Sequence, residues 1–219
     1  MVTTTRRSRR WLQGLSRTPQ RLVTLYRHRF VLGSLAPSGG EVIDVDPRRI
    51  VGHMPTRLAK RLRARTGFEA GAVIGGDWDR EIRPVNLTEK EVYTSCHLRW
   101  IEGHPWHDTP IYRSYVALIE RGEPCDFRSV GELDESYRRL DEIYARVRHE
   151  GRLSERYEHL ILVNMDRDGG LSWGPNGRHR VTMALICGFE SIPARVGFIH
   201  PLAIDRFQAR RRAGRVASV

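Results

Sequence analysis

The residues most able to do chemistry form a short string, Asn176-Gly177-Arg178-His179-Arg180, placed where an apolar-periodic segment begins. A helix N-terminus exposes unpaired backbone N–H groups and the positive end of the helix dipole. Glycine lets an anion approach the backbone, and arginine can grip phosphate oxygens with two parallel hydrogen bonds. The string therefore has the parts of a phosphate cradle, with His179 as a further donor or a proton carrier; read blandly, it is an ordinary basic helix start. A second string, Gly75-Gly76-Asp77-Trp78-Asp79, joins two carboxylates to a tryptophan at a strand end. Asp77 and Asp79 could hold Mg²⁺ beside substrate phosphates, or one could act as general base. Trp78 could contact substrate, although a tight turn around a core tryptophan would use the same residues. His97, His104 and His107 lie among Trp100 and Trp106. His104 and His107 are candidate substrate contacts, and a metal there would need ligands from elsewhere. Asp166 and Asp168 suit a turn, and His200 could line the same cleft.

These groups need elements to hold them. Residues 160–163 form a continuous apolar run, as in a strand buried on both faces. The Asp168-Gly169-Gly170 step turns into a return strand over 171–173, and the basic string opens a helix carrying Val181, Ala184 and Leu185 and closed by Gly188. Pro193 precedes a strand over 194–199. Upstream, residues 41–46 alternate as a short strand ended by Pro47, and 70–76 form a glycine-rich strand. Residues 57–65 fit a helix or an ordered loop. Thr88 and Glu91 fit a capping box, and Asp108-Thr109-Pro110 starts a helix that runs to Gly122. A longer helix covers 132–149, where Leu133, Tyr137, Leu140, Tyr144 and Val147 make one stripe, with Gly151 as its stop.

The chain has 219 residues, enough for one domain with a decorated insert. Its 37 Lys+Arg against 26 Asp+Glu give a net charge of +11, which favours polyanions. Much of the excess lies at the ends, in Arg6, Arg7, Arg9 and Arg10 and in Arg206, Arg210, Arg211, Arg212 and Arg215. Three scattered cysteines make neither a disulfide framework nor a zinc pattern, which points to a reducing cytoplasm. No apolar run has the length of a membrane span. Residues 19–32 fit a basic amphipathic helix, N-capped by Thr18, with Leu22, Val23, Tyr26 and Phe30 on one face. Docking of that helix on the domain is the favoured expectation; lying on a membrane surface is the other.

The run from Gly170 through Arg180, continuing to Ala184, Gly188 and Ile192-Pro193-Ala194-Arg195-Val196, resembles the ParB/sulfiredoxin superfamily. Val45-Asp46-Pro47-Arg48-Arg49-Ile50 is similar to that family's opening strand. The resemblance covers about 50 residues near the C-terminus and about 10 near residue 45, and it is a matter of fold before function. It implies an α/β (α+β) fold: a small mixed sheet of ParB/sulfiredoxin type with a large helical insert. The expected organisation is a basic N-terminal helix and linker over 1–40, the domain over 41–200 with its insert at about 86–157, and a basic tail over 201–219. Sulfiredoxins carry a reactive cysteine just before the His-Arg pair; Arg178 stands there, which argues against that activity. ParB partition proteins bind CTP and carry a helix-turn-helix, which the end of this chain lacks. Free-serine kinases of the fold use an Asp-Gly-His-His-Arg-like motif, nearest to the string here, with Asn176 in the acidic position.

The first functional expectation is thus Mg²⁺-dependent phosphoryl transfer or nucleotide hydrolysis with ATP, ADP or CTP. Asn176, Gly177, Arg178, His179 and Arg180 would bind the nucleotide, and Asp77, Asp79 and His179 would serve catalysis. The alternatives are a nucleic-acid-binding protein or ParB-like nuclease, using the basic ends, and a non-catalytic module.

Overall fold

The computed structural model describes residues 18–38, 40–154 and 160–216; Arg6, Arg7, Arg9 and Arg10 lie outside them. Helix α1 (Thr18–Arg27) continues into a wide π-turn over His28–Leu32. Strands β1 (Val42–Val45) and β2 (Ile50–His53) follow, joined by a 3-10 turn that Asp46 caps. Helix α2 (Thr56–Thr66) resolves the segment that fitted helix or loop, and it ends on Gly67 in the left-handed region. Strands β3 (Ala72–Val73) and β4 (Arg83–Pro84) are very short. Three helices come next: α3 (Glu91–Trp100), α4 (Pro110–Glu120) and α5 (Val130–Glu150). The chain then forms β5 (Ile161–Met165), β6 (Leu171–Trp173), α6 (Arg178–Ile186), β7 (Ile192–Ile199) and α7 (Ile204–Val216).

Among the described residues the strands form one mixed sheet in the order β1-β7-β5-β6-β2-β4. β5–β7 and β2–β6 are parallel pairs, while β1–β7, β5–β6 and β2–β4 are antiparallel. β3 adds to the second half of β7, on the edge whose first half is taken by β1. Pro193 lies within β7 rather than before it, opposite Asp44. A proline is tolerated near a strand start because little ladder hydrogen bonding is lost there. The parallel β5–β7 pair slips in register between Val163 and Met165. Buried Asn164 bridges that slip, accepting from the Phe198 N–H at 2.9 Å and donating to the Ser172 carbonyl at 3.4 Å. Gly197 makes room for it, since a Cβ there would sit 2.2 Å from the Asn164 Oδ1.

The three helices between β4 and β5 share one continuous core with the sheet. Val92, Cys96, Tyr112, Tyr115, Leu133, Tyr137, Tyr144 and Val147 pack with Val181, Ala184, Ile161 and Val163. The 132–149 stripe is buried as expected except Leu140, which is half-buried. Thr88 does not cap α3. It sits in a preceding 3-10 turn with its hydroxyl on Asn86, which leaves Lys90 at the N-cap. A smaller cluster gathers Met54, Leu58, Leu62, Ile74, Trp78 and Phe198 around α2.

Both terminal segments that the structure describes dock on the domain. The tail after Pro201 is a docked helix: Phe207 is fully buried, Gln208 donates to the Leu35 carbonyl at 2.9 Å, and the Arg211 Nη2 reaches Glu41 at 2.7 Å. Helix α1 docks through Thr24 and His28, while Leu22, Val23, Tyr26 and Phe30 face outward. No helix among the described residues is long and apolar enough to cross a membrane.

Candidate anion site at the start of helix α6

Gly177 precedes α6 at φ 121°, a conformation that favours glycine, and a Cβ there would press on Ile161 at 3.2 Å. Its carbonyl accepts from the N–H groups of Arg180 and Val181. The N–H groups of Arg178 and His179 have no acceptor among the described residues. Helix α6 follows β6, and β2 runs parallel beside β6, so the end of β2 arrives at the same place. There His53 sits opposite Trp173 on one side and Arg83 on the other. The His53 and Trp173 rings lie 5.0 Å apart. Burial, then Arg83, then Arg178 push the His53 imidazole below its ordinary range, so it is neutral at pH 7. His53 and Arg83 were not legible as site residues: β2 and β4 are too short to show periodicity, and only the pairing of distant strands brings Arg83 beside His53 and His53 within electrostatic reach of Arg178.

The Arg178 guanidinium donates to the Tyr115 hydroxyl and lies 3.7 Å from Asp126. It remains 43% exposed, so part of its donor fork is open to an incoming oxyanion. Asn176 is exposed beside it. His179 turns inward instead, its ring edge-on to Tyr137 at 6.3 Å. Burial first, then Arg178 and Arg180, lower its pKa to about 4. Among the described residues its Nε2 has no hydrogen-bond partner, and neither do the Tyr137 hydroxyl and the Thr182 Oγ1, both in buried residues. A buried polar atom left unpaired costs about 1–3 kcal/mol, so three around one helix start call for a partner. Arg180 points elsewhere again, lining a separate small cavity with Arg146, Val147, Glu150 and Ile161. The basic string is therefore divided three ways, and Arg178 is the member whose charge acts on His53.

The carboxylates predicted to complete the site are not there. Asp79 is buried, and its two oxygens take the Arg167 Nε at 2.7 Å, the Nη2 at 2.8 Å and the backbone N–H at 3.1 Å. Arg167 holds the Asp79 carboxyl far below the usual carboxylate range. Asp77 is exposed and shares Arg167 at 2.7 Å. A general-base or Mg²⁺ role for Asp79 would require that clamp to open. Position separates them as well: Arg167 follows the end of β5, whereas Gly177 abuts Ile161 at its start. Four strand residues put about 13 Å between those points. Trp78 is a core residue, its Nε1 donating to the Ile74 carbonyl at 2.8 Å, and offers no face to a substrate. His200 binds the Gly76 carbonyl at 3.1 Å, at the clamp end of the sheet.

His104 and His107 stand in solvent, near Glu102 and Asp108. Their loop is fixed by its tryptophans: Trp100 and Trp106 both donate to Asp141 Oδ1, and Arg99 pairs with Oδ2 of the same carboxylate. Among the described residues no three His, Cys, Asp or Glu side chains are gathered as metal ligands would be. The clamp makes a comparison possible. Asp79→Asn should lower the melting temperature clearly and Asp77→Asn hardly at all, because only Asp79 is a buried acceptor of three donors. Equal melting temperatures would show the clamp to be unimportant.

Comparison with family models, with curated proteins and with solved structures finds no match.

Proposed function

We propose that the start of α6 binds the phosphate of a nucleotide or other phosphate ester, in a protein of ParB/sulfiredoxin type. The observation that carries this is that Arg178, with two acceptor-free backbone N–H groups, opens the helix within electrostatic reach of His53, which pairs across the sheet with Arg83. A second observation supports it: His179, Tyr137 and Thr182 leave polar atoms unpaired behind the same helix start. Charge-assisted bonds from arginine and backbone donors are the usual means of holding phosphate oxygens. In a transfer or hydrolysis reaction, positioning and charge neutralisation supply most of the rate. Arg178 and the N–H pair would hold the phosphoryl oxygens, and His53, uncharged at pH 7, would accept the proton of an attacking hydroxyl or water. Mg²⁺, if the nucleotide brings it, would be held chiefly by the phosphates and water.

Calorimetric titration with ATP, ADP and CTP, each with and without Mg²⁺, tests the reading. Arg178→Ala should weaken binding on the order of 100-fold, since a charge-assisted pair contributes about 1.5–3 kcal/mol. Arg180→Ala, whose side chain opens on a different cavity, should change it by about 3-fold or less. No binding by any nucleotide, or equal binding by the Arg178→Ala protein, would remove the assignment. Affinity for DNA that exceeds nucleotide affinity and collapses with salt would favour a nucleic-acid role.

A further inference from the structure

Helix α1 is fixed to the domain by one side only. Thr24 donates to the Thr66 carbonyl at 3.0 Å, His28 Nε2 accepts from the Val73 N–H at 3.1 Å, and the Arg21 guanidinium lies 5.4 Å from the centre of the Phe68 ring. These contacts set the helix's rotation, and they turn its apolar side outward. Leu22, Val23, Tyr26 and Phe30 are 60%, 69%, 64% and 67% exposed. With Leu25 and Arg29 they line a shallow open groove, and exposed Val31 in the π-turn and Leu35 after it add further exposed apolar side chains. A contiguous apolar surface of this kind marks a contact with something else.

The sequence that carries this face is one-sided in charge. The first 40 residues contain eight arginines and no aspartate or glutamate, so they hold eight of the eleven net positive charges of the chain. Arg21 and Arg27 are exposed on α1 itself, and Arg29 is exposed in the π-turn that follows it.

We propose that α1 seats its apolar face in the surface of a bilayer containing anionic phospholipids, attaching the domain peripherally. An interfacial helix needs an apolar face, arginines beside it and aromatic side chains at the boundary, and α1 has all three. A second copy is disfavoured because two such segments would bring eight positive charges against eight. A partner groove that encloses a helix is disfavoured because the Thr24 and His28 side is already occupied; a planar surface needs only the side that is free. Nucleic acid would use the arginines and leave the apolar face uncovered.

The test is co-sedimentation of the full chain with vesicles of phosphatidylcholine alone and of phosphatidylcholine mixed with phosphatidylglycerol. The native chain should pellet with the mixed vesicles and remain in solution with the neutral ones. The Val23→Asp, Phe30→Asp double variant changes two exposed side chains, so its melting temperature should match the native value. Its partition into mixed vesicles should fall on the order of 100-fold. Failure of the native chain to pellet with mixed vesicles overturns the proposal, as does undiminished binding by the double variant. Light scattering that shows a native dimer converted to monomer by the same two changes would assign the face to self-association instead.

Discussion

Phe207→Ala should destabilise the protein by about 3–5 kcal/mol, the usual cost of emptying a buried aromatic site. Phe207 is fully buried and belongs to the main core, with the Arg211 guanidinium 5.5 Å from its ring centre. Arg211 in turn pairs with Glu41 and donates to the Ser34 carbonyl at 2.8 Å, so one turn of α7 holds both the start of β1 and the segment before it. Urea unfolding followed by circular dichroism would measure the loss. Arg212→Ala, at an exposed position on the same helix, should stay within about 0.5 kcal/mol of the native chain. If Phe207→Ala proved as stable as native, the C-terminal segment would have to be a solvated arm after all. The same reasoning bears on truncation: removing the basic C-terminal residues to test binding to a polyanion would remove a core side chain with them.

Stability should also fall as the solution is acidified from pH 7 towards pH 4, well before carboxylates titrate. His179 has its folded pKa lowered to about 4 from an ordinary 6.5. Between those values the unfolded chain holds a proton that the folded chain refuses, so protonation favours unfolding and stability rises with pH across the window. The full shift corresponds to about 3 kcal/mol. His28 and His53, both lowered chiefly by burial, act in the same direction. Asp79, held low by Arg167, contributes stability that is lost only at more acidic pH, as the pH falls from the ordinary carboxylate value downward. Urea titrations at pH 7 and at about pH 4.5 would show the drop, and His179→Phe should remove most of it. A native protein equally stable at both values would mean that His179 is solvated and free to protonate.

Local pattern and long-range pairing were not equally legible in the sequence. The 132–149 stripe fixed α5 because four of its apolar residues fill one face, and Ser129 and Gly151 bound the helix with a side-chain cap and a left-handed stop. The apolar run at 160–163 marked β5 because a strand paired on both edges shows no polar alternation. The basic string at 177–180 marked the start of α6. Its geometry was hidden, since one hundred degrees per residue sends three consecutive side chains to three environments, and nothing local says which. Asp77 and Asp79 look like catalytic carboxylates until Arg167 is seen beside them, 88 residues from Asp79 in sequence. Thr24 and His28 look like the wet side of α1, and Leu22 and Val23 like the dry one. The reverse holds because Thr66 and Val73 offer the helix backbone groups to bond rather than an apolar surface to cover.

The position of β7 has a consequence for synthesis. It is the last strand among the described residues, yet it pairs with β1, β3 and β5. Until residues 192–199 have been made, β1, β3 and β5, each as it is made, lack the neighbour that completes their hydrogen bonding. Each presents an open edge, the kind of surface through which nascent chains join one another. The sheet closes when residues 192–199 arrive, so a product that stops short of them has three sticky edges instead of a fold.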